Sequence, residues 1–173
     1  MKLRNLSNDY GFTLLELILV LFLCSLLTSY YVGMVSHSIN YWQESIERIR
    51  VYENLQYSLH FIEKNIRQFD QQKMEYCPDI LQIKSENSQG QISYMDFSGN
   101  MIYHFNTYMY YHAGNRQLRI NRNTEHNVLA LDIHGVSVRE VIPGTLLEIS
   151  LSSRDKYGKE HTLTTKIRIN HRR

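Results

Sequence analysis

Between Phe12 and Val35 the chain carries one charged residue, Glu16, and between Met34 and Cys77 it has neither glycine nor proline. A backbone in hydrocarbon must satisfy its own polar groups, and a helix does so within a single segment. Roughly twenty apolar residues cross a bilayer core, so residues 12–35 suffice as a transmembrane half. Beyond them apolar residues recur at Ile39, Trp42, Ile46, Ile49, Tyr52, Leu55, Leu59, Ile62, Ile66 and Phe69. Gaps of three and four mark one face of a helix. A charged face accompanies them: Glu44, Glu47, Arg48, Arg50, Glu53, Glu63, Lys64 and Arg67. The spacing predicts one helix from about Phe12 to about Phe69, on the order of 85 Å long. Residues 36–77 form its amphipathic half, and Gly33 is the one soft point.

In "EYCPD" Pro78 disfavours helical geometry in the residue before it, and from there the apolar period falls to two. Strands are expected at Ile80–Lys84, Gln91–Phe97, Met101–Tyr111, Gln117–Arg122, Val128–Ile133, Val136–Val141, Leu146–Leu151 and Thr162–Ile169. Turn residues separate them in "NSQG", "SGN", "HAGN", "HG", "PG" and "DKYGKE". Short strands with short connections imply an antiparallel meander. At 173 residues the chain has room for one modest domain and an appendage. The expected fold is α+β: a long N-terminal helix whose lower half packs on an antiparallel β-sheet domain over residues 78–173. Cys24 and Cys77, if both lie on or just beyond that helix, are on the order of 80 Å apart and cannot form a bridge. Cys77 is expected to be a buried thiol, with a free one as the alternative.

The leader "MKLRNLSNDYG" holds Lys2 and Arg4 ahead of the apolar run, which keeps it on the cytoplasmic side. A secretory signal would end in a small-residue cleavage site, and "CSLLTSYYVGMVS" offers no clear Ala-x-Ala. A plain membrane anchor explains neither Gly11 nor Glu16. "GFTLLEL" resembles the processing site of type IV prepilins and type II secretion pseudopilins. That resemblance implies cleavage between Gly11 and Phe12 by a prepilin peptidase, removing residues 1–11 as a leader peptide and leaving an N-methylated Phe12. It also makes Glu16 the fifth residue of the mature chain, with a role in assembly. The segments "LHFIEKNIRQF", "ISYMDFSGNMIYHF", "NRQLRINRN" and "VLALDIHGVSVREV" are similar in order to J-type minor pseudopilins and related minor pilins. The implied protein is a single-pass subunit of the cytoplasmic (inner) membrane with its C-terminal domain outside. It then joins a filament, at or near the tip. Its implied partners are other major and minor pilins or pseudopilins and an inner-membrane assembly platform with a cytoplasmic ATPase, since this chain has no Walker motif.

Chemistry finds little purchase. There are eight histidines but no H-E-x-x-H, no close Cys/His set and no G-x-S-x-G, so no catalytic residue, metal or cofactor is assigned. His104 and His112 could share a strand face, yet eight residues is about 26 Å along a strand. Asp96, Ser98 and Asn100 in "DFSGN" start like a calcium loop without its acidic twelfth ligand, so a hairpin turn is expected. A net charge of +2 gives no global nucleic-acid signature. Locally, "YMYYHAGNRQLRINRN" interleaves tyrosines with Arg116, Arg119 and Arg122, the chemistry that holds single strands. DNA contact in a competence pilus is therefore the alternative function. "KIRINHRR" adds Lys166, Arg168, Arg172 and Arg173. The simpler expectation makes Arg119 the outer face of an edge strand, with Leu118 and Ile120 inward. Tyr30, Tyr31, Tyr41 and Trp42, just past the apolar run, fit an aromatic belt at the membrane boundary.

Overall fold

The computed structural model describes residues 13–70, 73–86, 89–100, 106–122 and 125–169, the side chain of Arg122 excepted. One helix, α1, runs Leu14–Gln68. The chain divides into two compact units, Met1–Ser45 and Ile46–Arg173.

In the first unit α1 is long and apolar enough to be a candidate membrane span, and none of residues 13–44 is buried. Three of its hydroxyls bond back to the helix: Ser25 Oγ to Phe22 O at 2.7 Å, Thr28 Oγ1 to Cys24 O at 2.7 Å, Ser38 Oγ to Met34 O at 2.9 Å. Each of these three is thus satisfied within its own segment, which lets it sit among apolar neighbours.

The second unit joins the rest of α1 to two sheets. The strands are β1 Glu75–Cys77, β2 Gln82–Glu86, β3 Ile92–Asp96, β4 Thr107–His112, β5 Gln117–Arg122, β6 Glu125–Ala130, β7 Ile133–Ile142, β8 Leu146–Arg154 and β9 Glu160–Arg168. Strands β1 to β6 form one sheet in sequence order, and β7 to β9 a second. Val51, Leu55, Ile62 and Ile66 of α1 share a core with Ile83, Met95, Met109 and Leu118 of the first sheet and Ile133, Leu147, Ile149 and Ile167 of the second. Burying a side chain of that size is worth about 1.5–3 kcal/mol. Tyrosine hydroxyls tie the sheets together, Tyr76 Oη donating to Val138 O at 2.6 Å and Tyr111 Oη to Ile133 O at 3.0 Å.

Several expectations are corrected. The helix stops at Gln68 and does not reach Cys77; Glu75–Cys77 is strand β1, and Pro78–Ile80 is a 3₁₀ turn. After Phe69 the polar run Asp70 to Lys73 offers no apolar residue to hold another helical turn on the sheet. The first sheet is not a pure antiparallel meander, because β3 and β4 pair in parallel, Met95 opposite Met109. Period two is common to both pairings, so alternation could not tell them apart. "DFSGN" is a turn but not a hairpin: Asp96 Oδ1 accepts the Ser98 N–H at 2.9 Å, and Gly99 takes φ +76°. Strand β5 is flanked by β4 and β6 and is not an edge. Cys77 is half-buried, and both thiols are free. The first part of the expected strand Met101–Tyr111, including His104, lies outside the described residues, as do Arg172 and Arg173.

The apolar stripe of α1 is also not one stripe. Leu55, Leu59, Ile62 and Ile66 are buried as expected, but Ile46 and Ile49 are 45% and 55% exposed, and Val51 and Glu47 turn inward instead. Each gap of three residues falls about 60° short of a full turn. Three in succession, from Ile46 through Ile49 and Tyr52 to Leu55, carry the run roughly 180° around the helix.

The β8–β9 connection is pinned by one carboxylate. Asp155 Oδ1 accepts the Tyr157 and Lys159 N–H groups, both at 2.9 Å, and Oδ2 lies 3.0 Å from His161 Nε2. The buried His161 ring stands edge-on to Tyr52 of α1, centroids 5.3 Å apart. The His161 hydrogen bond, with help from the two backbone amides, holds the Asp155 carboxyl below its ordinary value despite burial. A depressed carboxyl contributes stability that is present above its unfolded value and lost as pH falls through the folded one. The melting temperature should therefore drop as pH falls below about 4, the unfolded range of Asp. Asp155→Asn should flatten that limb; an unchanged acid limb would show that this carboxyl is not linked to folding.

Candidate functional site

At the start of α1 the Thr13 N–H and the Thr13 Oγ1 hydroxyl both donate to Glu16 Oε2 at 3.0 Å. The Glu16 N–H returns a bond to Thr13 Oγ1 at 3.3 Å, and the Leu17 N–H reaches Thr13 O at 3.2 Å. This is a reciprocal capping box, in which residues three apart satisfy the orphan donors of a helix end. Thr13 was not singled out from sequence, although Thr-Leu-Leu-Glu ahead of an apolar run carries the signal. Among the described residues Glu16 Oε1 has no hydrogen-bond partner, so one oxygen caps the helix and the other is left for a further donor. Gly11 and Phe12 lie outside the described residues; by sequence Phe12 immediately precedes the cap. Loss of a Thr cap costs about 0.5–2 kcal/mol. Thr13→Val should accordingly speed amide exchange at Leu15, Glu16 and Leu17 several-fold in detergent micelles, and unchanged exchange would remove the cap from the account.

Exposed apolar side chains continue past the apolar run. Tyr31, Met34, Val35, Ile39 and Trp42 surround Ser38 and line one groove on the helix, at the i, i+3, i+4, i+7 spacing of a single face. In the second unit Ile46 and Ile49 face away from the side that carries Val51 and Leu55 into the core.

The arginines considered for DNA are engaged separately. Arg116 sits in the β4–β5 turn with φ +53°, its Nη1 3.1 Å from His134 Nε2 and its carbonyl accepting the Ile133 N–H at 2.9 Å. Arg119, half-buried on β5, donates Nε–H to Gln117 Oε1 at 2.9 Å. The side chain of Arg122 lies outside the described residues. Tyr110 and Tyr111 are buried, Tyr110 Oη lying 3.1 Å from His126 Nδ1, so their rings are committed to the fold and do not offer stacking faces.

Among the described residues no three His, Cys, Asp or Glu side chains come together as a metal site. A groove of about 470 Å³ runs between α1 and the end of β6, lined by Arg50, Val51, Asn54, Val128, Leu131 and Ser153, among others. Its polar atoms serve the fold: Asn54 Nδ2 donates to Leu131 O and Ser153 Oγ to Asp132 O, both at 2.7 Å. No protein-family model matches the chain, and neither does any curated protein or solved structure.

Proposed function

We propose that this chain is a minor pilin or pseudopilin, cut at Gly11, held in the cytoplasmic membrane by the first part of α1, and then drawn into a filament. The observation that carries the proposal is Glu16. It is the one charged residue from Phe12 to Val35, it sits in the first turn of the apolar helix, and among the described residues one of its oxygens has no partner. A carboxylate at membrane depth costs about 2.5–3.5 kcal/mol on insertion scales and usually marks function. After cleavage, the Phe12 amine of a neighbouring subunit would neutralise it across the helix interface. That ion pair would set an axial register that non-directional apolar contacts leave open. The exposed apolar faces of α1 support the same reading, because contiguous apolar surface marks a partner or a membrane. The work is assembly, driven by a separate ATPase.

Glu16→Ala should leave membrane insertion and leader removal intact while sharply reducing recovery of the subunit in sheared filaments. Equal recruitment of mutant and wild type would remove Glu16 as a docking group.

A further inference from the structure

The first sheet ends at β6, and that edge is open. Strand β6 pairs with β5 alone. Among the described residues, Asn127 to Ala130 make no main-chain hydrogen bond outside that pairing. Sheets keep stray strands off their edges with short strands, charges and bulges, and the other three edges have these. Strand β1 is three residues long. Strand β9 carries exposed Glu160, Lys166 and Arg168. Strand β7 carries Arg139 and Glu140 and shifts register near both ends. From Asn127 to Ala130, β6 has no charged residue.

Strand β6 has a bulge of its own, but this one opens the edge to a groove. Leu118 pairs with Ala130 and Arg119 with Val128, so Leu129 is an extra residue. A regular strand would turn every second side chain away. The bulge re-aims them, and Val128, Leu129, Ala130 and Leu131 all line the groove of about 470 Å³ beside α1. Val128 and Leu131 are 44% and 54% exposed, and Val51 of α1 completes the apolar lining.

The rim is fixed and its cations are already answered. Asn54 holds Leu131 O and Ser153 holds Asp132 O, so the chain just past β6 is ordered before anything meets it, which lowers the entropic cost of docking. Arg50 pairs with Glu47 at 2.8 Å and Arg154 with Glu160 at 3.5 Å. Exposed Asp132 is the remaining charged residue of the lining. An acidic ligand gains little from two arginines that have partners, so the groove selects by apolar fit. We infer that an extended segment of a different protein adds as a strand beside Asn127–Ala130 and sets an aliphatic side chain in this groove. In strand addition, main-chain bonds give affinity and the pocket gives specificity. This goes beyond the filament reading, because it gives the chain a partner outside its own assembly, and it does not depend on leader removal.

The test uses the full chain in detergent micelles and, as probe, a phage-displayed library of random dodecapeptides depleted on empty micelles. Selected peptides are synthesised, their affinity is measured, and amide exchange of the chain is followed residue by residue. The expected peptides alternate aliphatic with other residues and slow exchange at alternate amides within residues 125–131. Val128→Lys and Val128→Asp should each weaken them about tenfold or more, because a charge of either sign blocks an apolar edge, while Val128→Ile should bind as wild type does. The exchange pattern is read on the wild-type chain, so it stands even where a variant folds poorly. No enriched peptide, protection confined to another region, or equal affinity for the charged variants overturns the inference. So does protection of the same amides by raising the chain's own concentration without peptide, which would make a second copy the occupant.

Discussion

A chain beginning at Ile39 should be soluble and melt cooperatively, and Ile62→Asp in that chain should lower its melting temperature by at least about 10 °C. Ile62 is fully buried in the core between α1 and the sheets. Among the described residues no cation stands in that core to pair with a new carboxylate. An unpaired buried charge costs about 3–5 kcal/mol, a large part of the 5–15 kcal/mol of a typical domain. Ile66→Asp should behave alike. Ile49→Asp, on the exposed face, should change stability by no more than about 0.5 kcal/mol. The comparison is sharp because both positions belong to the same three-and-four pattern in the sequence. Equal effects at Ile49 and Ile62 would contradict the division of α1 into a core face and an outward face.

That division shows where sequence reasoning stops. Long-range helix content was legible because glycine and proline are missing from a long stretch and apolar gaps of three and four fill it. The direction of each residue was not, because repeated gaps of three rotate a stripe while still matching the pattern. Strand β5, Gln117–Arg122, was placed residue for residue, since "HAGN" bounds it and Leu118 and Ile120 alternate. Its position inside the sheet was hidden, because edge or centre depends on β6 pairing beside it. The parallel β3–β4 pair was equally hidden. At the helix start Glu16 stands out by its charge, whereas Thr13, whose hydroxyl is half of the cap, shows only through the Thr-Leu-Leu-Glu spacing. The tyrosines near Arg116 and Arg119 looked like stacking groups in sequence; burial of Tyr110 and Tyr111 came only with the fold.

Processing should fail completely in one further variant. On the proposed function, Gly11→Val places a branched side chain next to the bond that a prepilin peptidase would cut. Glycine there allows close backbone approach and conformations that a β-branched residue resists. The uncut chain should still insert, because residues 12–35 are unchanged, yet it would present no free Phe12 amine to pair with Glu16. Loss of filament recruitment should therefore accompany Gly11→Val even though Glu16 is intact.

The most direct measurement is the intact mass of the full-length chain purified after coexpression with a prepilin peptidase. The result expected from the pilin proposal is loss of Met1–Gly11 and one added methyl group on Phe12, with the unprocessed mass retained in Gly11→Val. An unchanged mass in the wild-type chain, cleavage beyond Val35, or normal cleavage of the valine variant would contradict it.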